Sequence, residues 1–338
     1  MIIEKTQMKA NLEVFSETLQ ALAEKDRDIV VVTSDSRGSG KLVAFGQKFP
    51  DQIVEVGIAE QNLVGVAAGL ASMGKKAFAV SPACFLTARS LEQIKNDVCY
   101  SDNPVKLIGI SAGVSYGALG STHHSLHDFA VLRAINNITI VAPADNFETN
   151  EAIRQAAEMA SPVYIRFGKK AMNADLRFGI RDLGSGIYDL GLNQQSKIAD
   201  PKFQFGKGRV IKEGSNLTFI ATGEGVLPCV KAAEILQENH GISCRIISMH
   251  TVKPLDNELI LKTAANEKPI ITVEEHSVHG GLGEAVASLL FQNGFRNKFK
   301  IIGLPDDHTV SGSQTEIFDH YGISGEGLTK TVLTMLEH

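Results

Sequence analysis

The sequence predicts an α/β protein made of two doubly wound domains with mostly parallel sheets. Three observations carry this. Short β-branched runs alternate with segments of helical periodicity, which is the pattern of βαβ units. Several runs, such as Ile29-Val30-Val31-Val32, are continuously apolar, as strands covered on both faces must be. The alternation stops near the middle of the chain and then resumes. A chain of 338 residues suits about two domains, and 43% hydrophobic residues can fill two cores.

In the first half, strands are expected at 28–33, 76–80, 105–110 and 137–141, with helices at 11–25, 60–73, 87–99 and 146–160. The run 162–166 closes a first domain placed at 1–170. From 171 to 208 the apolar periodicity fades, and Gly184, Gly186, Gly191, Asn193, Gln194, Gln195 and Pro201 crowd the stretch. A connection this long without elements of its own is unusual inside a compact domain, so it reads as an extended interdomain linker. The second domain, 209–338, carries strands at 217–221, 244–248 and 270–273 and helices at 226–238, 283–291 and 327–336.

A formal charge of −5 offers no basic patch for nucleic acid and no cationic face for a membrane. No apolar run reaches the length of a membrane span, and Met1-Ile2-Ile3-Glu4-Lys5 shows no signal pattern. Cys84, Cys99, Cys229 and Cys244 lack metal-site spacing and read as reduced thiols, so a cytoplasmic location is expected.

Glu60 is the only acid in the apolar, small-residue stretch 56–71. Burial there favours the neutral carboxyl, which can share a proton with a ring nitrogen. The plainer reading is an acid in a helix first turn, favoured by the helix dipole. His123, His124 and His127 cluster in a glycine-containing loop with Asp128, and imidazole can shuttle protons near neutrality. Metal binding and loop hydrogen bonding are the alternatives, and no Cys or well-spaced carboxylate pair supports a zinc site. Asp35 follows a strand, where open α/β sheets bind ligands, or it caps a helix. Gly280-Gly281-Leu282-Gly283 and Thr222-Gly223-Glu224-Gly225 join strand to helix without a nucleotide fingerprint, and read as close-packing turns.

Gly57-Ile58-Ala59-Glu60-Gln61-Asn62 resembles the catalytic-glutamate motif of the transketolase family, and more distantly that of deoxyxylulose-phosphate synthase. Further resemblances follow in order at Val32-Thr33-Ser34-Asp35-Ser36, at 85–94, at 120–128, at Thr251-Val252-Lys253-Pro254-Leu255-Asp256 and at 274–283. The family implies thiamine diphosphate, with a buried glutamate at the aminopyrimidine ring promoting the proton transfer that activates the thiazolium carbon. By this resemblance Glu60 and His123 are the catalytic residues. Phe85 stacks on the pyrimidine, and Asp35, Ile58 and Arg89 join Glu60 around the cofactor. His123, His124, Ser39, Arg166 and Lys169 contact the substrate, with Arg37 a further candidate for its anion.

The family holds the diphosphate and its Mg2+ through a Gly-Asp-Gly motif, and no such tripeptide occurs here. The resemblance therefore implies the C-terminal subunit of a split transketolase. Its expected partners are an N-terminal subunit carrying the diphosphate domain and a second copy of itself, in an α2β2 heterotetramer. Ala118-Leu119 replaces an acidic pair that reads the donor's hydroxyls, Ser111 replaces a histidine near the acceptor, and a phosphate-binding arginine near Met8 is missing. A buried Leu119 cannot bond a hydroxyl, so a modified ketose, branched or sulfonated, is expected as donor. The alternatives are a β-type subunit of a 2-oxoacid dehydrogenase and a non-catalytic assembly subunit.

Overall fold

A computed structural model describes residues 8–178 and 203–337. Its strands are β1 (Lys9–Ala10), β2 (Ile29–Thr33), β3 (Ile53–Glu55), β4 (Lys76–Pro82), β5 (Lys106–Ile110), β6 (Thr139–Val141), β7 (Val163–Arg166), β8 (Ala171–Met172), β9 (Arg209–Lys212), β10 (Leu217–Ala221), β11 (Cys244–Ser248), β12 (Thr251–Lys253), β13 (Ile270–Ser277) and β14 (Phe299–Leu304).

The first sheet has the order β12-β6-β7-β5-β4-β2-β3. Its six strands from the first half are parallel, and only β12 runs against them. Both faces are covered, as the continuously apolar strands require. Leu12, Phe15 and Leu19 of helix Asn11–Ala23 pack on one face with Ile153 of helix Asn146–Glu158. Leu63, Val64 and Ala67 of helix Glu60–Ser72 pack on the other with Leu86 of helix Ala83–Arg89. The second sheet, β14-β13-β10-β11-β9, is parallel except for β9. Helices Val226–His240 and Gly325–Glu337 share a core with one of its faces. Helices Asn257–Ala264 and Leu282–Gln292 share one with the other. Two α/β units with largely parallel sheets are thus present, as expected.

Several elements differ from the sequence reading. The helix expected at 87–99 is broken: Ala83–Arg89 ends at Ser90, whose hydroxyl donates back to the Leu86 carbonyl, and a wide-turned segment follows at Ile94–Tyr100. Strand β13 continues through Glu274, Glu275 and His276, which lie beyond the expected strand end. Strand β12 leaves the second half of the chain to extend the first sheet. Within the expected linker, β8 pairs antiparallel with β1, and the Leu176 N–H donates to Asp145 of the first unit. Residues 179–202 of that linker lie outside the described residues.

Candidate active site

The chain passes from β2 to β3 on one side and then to β4 on the other, so β2 and β4 flank a switch point at which open α/β sheets bind ligands. A pocket of about 240 Å3 lies there. Ser34, Asp35, Ser36 and Ser39 reach it from the turn after β2, and Pro82 and Phe85 from the end of β4 and the helix that follows. Ile58 and Glu60 come from the turn after β3, and Tyr116, Leu119 and His123 from the long loop after β5. The structure therefore brings together Asp35, Ser39, Ile58, Glu60, Phe85 and His123, six of the residues singled out from sequence.

Each is held by local chemistry. Asp35 takes a left-handed backbone (φ 52°), which a short polar side chain tolerates, and its N–H donates to the Glu55 carboxylate at 2.7 Å. The Ser34 hydroxyl donates to Ser81 at 2.8 Å, tying the ends of β2 and β4 together. Glu60 opens its helix and is only 4% exposed. Its carboxylate has a cationic partner that the apolar stretch around it does not reveal: Arg89 Nη1 lies 3.1 and 3.2 Å from its two oxygens. The same guanidinium sits 4.2 Å from the centroid of the Phe85 ring. His123 meets Phe85 edge-on at 5.2 Å and Tyr116 at 5.7 Å, with Nδ1 2.9 Å from the Thr122 hydroxyl.

The remaining candidates lie elsewhere. Lys169 is exposed and places its ammonium 4.3 Å from the Tyr116 ring, beside the pocket wall. His124 is buried behind the wall, with Nε2 3.3 Å from the Gly117 carbonyl, and burial pushes its pKa down. Arg166 is in the interior and not in the pocket. Its guanidinium is 2.9 Å from Asp128 and donates to the Glu275 carbonyl at 2.9 Å. Adjacent residues on β7 point to opposite faces, and a strand sequence alone does not reveal the acid that Arg166 meets. Arg37 is similarly engaged, with Nε 3.4 Å from Glu55. Leu119, expected to be buried, is 55% exposed at the pocket rim. Ser111 is fully buried, and its hydroxyl has no partner. Tyr116 and Pro82 were missed; Pro82 is the last residue of β4, a strand C-terminal end that would have pointed to it, whereas Tyr116 lies well into the long loop after β5 and carries no such signal.

The donor set fits the aminopyrimidine half of thiamine diphosphate: one carboxylate for a ring nitrogen and one aromatic side chain for the ring face. It does not fit the diphosphate half. Among the described residues, no group of three His, Cys, Asp or Glu side chains is arranged to hold a metal ion. No described helix is long and apolar enough to cross a membrane. The described cysteines are all buried and unpaired.

Comparison with known proteins agrees with this geometry. Residues 7–174 match the transketolase pyrimidine binding domain, and residues 206–328 match the transketolase C-terminal domain. The chain is 45% identical to the B subunit of the apulose-4-phosphate transketolase of Phocaeicola vulgatus, over 96% of each chain. It is 38% identical to a putative transketolase C-terminal section of Methanocaldococcus jannaschii, over 94% of each. Among solved structures, a split-gene transketolase captured as an inactive β4 tetramer superposes with a TM-score of 0.79 at 32% identity, covering 98% of this chain and 99% of that one. The chain belongs to the transketolase family and matches its split-subunit members along nearly its whole length.

Proposed function

We propose that this chain is the pyrimidine-binding subunit of a split, thiamine diphosphate-dependent transketolase that moves a two-carbon ketol group from a ketose donor to an aldose acceptor. The observation that carries this is the pairing of a buried Glu60 with Phe85 in one pocket at the sheet switch point. When bound, thiamine diphosphate supplies the carbanion-stabilising chemistry.

The chain's own residues do the rest. Glu60 holds or releases a proton at its carboxylate toward the pyrimidine, and Phe85 offers the ring a face. Arg89 keeps the Glu60 carboxylate aligned until a ring takes the place of its guanidinium. His123 reaches the pocket between Phe85 and Tyr116 and serves as acid and base toward substrate hydroxyls. Asp35, Ser39 and Ile58 form the opposite wall. His124 backs His123 from behind the wall.

The diphosphate and Mg2+ are held by an N-terminal partner subunit, and two copies of each chain form an α2β2 complex in the cytoplasm. Self-association of this chain is supported by the β4 tetramer of its structural relative. The donor is a sugar phosphate such as the apulose 4-phosphate named for the relative in Phocaeicola vulgatus. Lys169 is the cation placed to take its phosphate, and Leu119 gives the rim an apolar surface.

Titration calorimetry on the purified chain, alone and mixed with an N-terminal subunit carrying Gly-Asp-Gly, tests the reading. Tight Mg2+-dependent binding of thiamine diphosphate and ketol transfer are expected from the mixture alone. Tight binding by the single chain, or a mixture that transfers no ketol from any of a panel of ketose phosphates, would overturn it.

A further inference from the structure

The run Glu274-Glu275-His276-Ser277 at the end of β13 belongs to the second unit, and the chemistry assigned above does not use it. Glu274 acts close to home. Its carboxylate accepts the Leu282 and Gly283 N–H groups at 2.7 and 2.8 Å, occupying the start of helix Leu282–Gln292. Glu275 points the other way, into the loop that carries His123.

That loop, 111–127, is a closed ring. The Ser125 N–H donates to the Gly113 carbonyl at 2.8 Å and closes its neck. Successive turns stiffen it: the Leu119 N–H donates to Tyr116 at 2.7 Å and the His123 N–H to Gly120 at 3.0 Å. Tyr116, Leu119 and His123 are thus carried on one hydrogen-bonded loop.

The second unit grips both arms of this ring. On the outgoing arm, Glu275 Oε1 accepts the Val114 N–H at 2.8 Å. On the returning arm, the Ser277 N–H donates to the Leu126 carbonyl at 3.1 Å. The contact has no slack. A Cβ on Gly113, whose φ is +61°, would lie 2.2 Å from Glu275 Cδ, and a Cβ on Gly117 would lie 2.2 Å from the Gly312 carbonyl oxygen. Glu275 is itself fixed, because the Gln314 amide donates at 2.7 Å to both Glu275 and Glu224.

We propose that Glu275 is a positioning residue for the transfer reaction: by bonding Val114 it seats the 111–127 ring on the second domain and so aims His123 at the pocket. This rests on the acid–base reading of His123. The second domain is then part of the catalytic geometry as well as of the assembly. Burial and the neighbouring Glu224 push the Glu275 carboxyl up to about 8, so an uncharged side chain with an oxygen in the same place is its proper mimic.

The test uses the complex reconstituted with its partner subunit. For Glu275→Ala, kcat should fall about 10- to 100-fold, as for a misplaced catalytic group. Donor KM should stay within about threefold, since substrate binding is not what the anchor supplies. Exchange of the thiazolium C2 proton should match wild type, because Glu60 and Phe85 lie off the ring. Amide exchange in peptides spanning 111–127 should quicken. Glu275→Gln should restore kcat to within about threefold of wild type. Unchanged kcat in Glu275→Ala, or equal defects in the Ala and Gln variants, would overturn the proposal. If Glu275→Ala does not assemble, Gly113→Ala drives a Cβ into Glu275 from the ring side and should give the same kcat loss with intact C2 exchange; wild-type kcat there would overturn it equally. His123→Ala separates the two readings. Full activity in that variant removes the acid–base role, while quickened exchange at 111–127 in Glu275→Ala still reports the anchor.

Discussion

Arg89 is bound to Glu60, its Nη1 3.1 and 3.2 Å from the two carboxylate oxygens. The same guanidinium covers a face of Phe85. A pyrimidine ring that uses both residues must displace it. Arg89 is about half exposed, so the pair contributes no more than about 1 kcal/mol. Arg89→Ala should leave the melting temperature nearly unchanged and tighten thiamine diphosphate binding by the reconstituted complex up to about fivefold, the equivalent of that energy. Calorimetric titration of both complexes measures this. Weaker binding in the variant would instead place Arg89 among the groups that hold the cofactor.

A second cluster concerns stability alone. Arg209, 1% exposed, meets Glu148 at 2.7 Å, Asp175 at 2.9 Å and Asp145 at 3.3 Å. It ties the start of the second unit to helix Asn146–Glu158 and its cap Asp145. Arg209→Met leaves buried carboxylates without their counter-charge, which costs about 3–5 kcal/mol when one partner of a buried pair is removed. Chemical denaturation of the variant should show a loss of that order, and a loss below about 1 kcal/mol would mean the cluster is bonded adequately without Arg209.

Stability should also fall as pH rises past neutrality. Desolvation raises Glu274 from an ordinary 4.5 to about 7, and desolvation with Glu224 raises Glu275 to about 8. The folded chain therefore keeps protons that the unfolded chain has lost. This stabilisation is complete below about 4.5 and is lost as pH climbs through 7 to 8. Burial pushes His250 and His276 down to about 4, so their contribution is lost only on the acid side, as pH falls from 6.5 through 4. From pH 6.5 to 8 the carboxyls dominate the contrast. Between those values the melting temperature of wild type should drop more than that of Glu275→Gln, while Asp145, raised to about 7, affects both alike. Parallel curves would show that Glu275 is ionised throughout.

The alternation of strands and helices was legible because local periodicity encodes it, and the family motifs named Glu60, Phe85 and His123 before any geometry placed them in one pocket. What was not legible depends on contacts between distant segments. Glu60 and Arg89 meet only because helix Ala83–Arg89 ends beside the start of helix Glu60–Ser72. Arg166 resembles a free cation until Asp128, 38 residues away, is found against it. Glu275 reaches Val114 across 161 residues, a relationship that no spacing rule contains. Strand β12 is too short to announce itself, and it joins the sheet of the other unit. The break at Ser90 was hidden because serine is unremarkable in a helical pattern until its hydroxyl bonds the turn behind it.

The most direct measurement is hydrogen–deuterium exchange at the thiazolium C2 of thiamine diphosphate bound to the reconstituted complex, comparing wild type with Glu60→Gln. The amide keeps the volume of Glu60 and cannot take part in the proton relay. Exchange should slow by roughly 10²- to 10⁴-fold, the usual worth of a positioned acid–base group, with assembly of the two subunits unchanged. Exchange as fast as wild type in a fully assembled Glu60→Gln complex would contradict the assignment of Glu60, and with it the account of this pocket as the pyrimidine half of a shared active site.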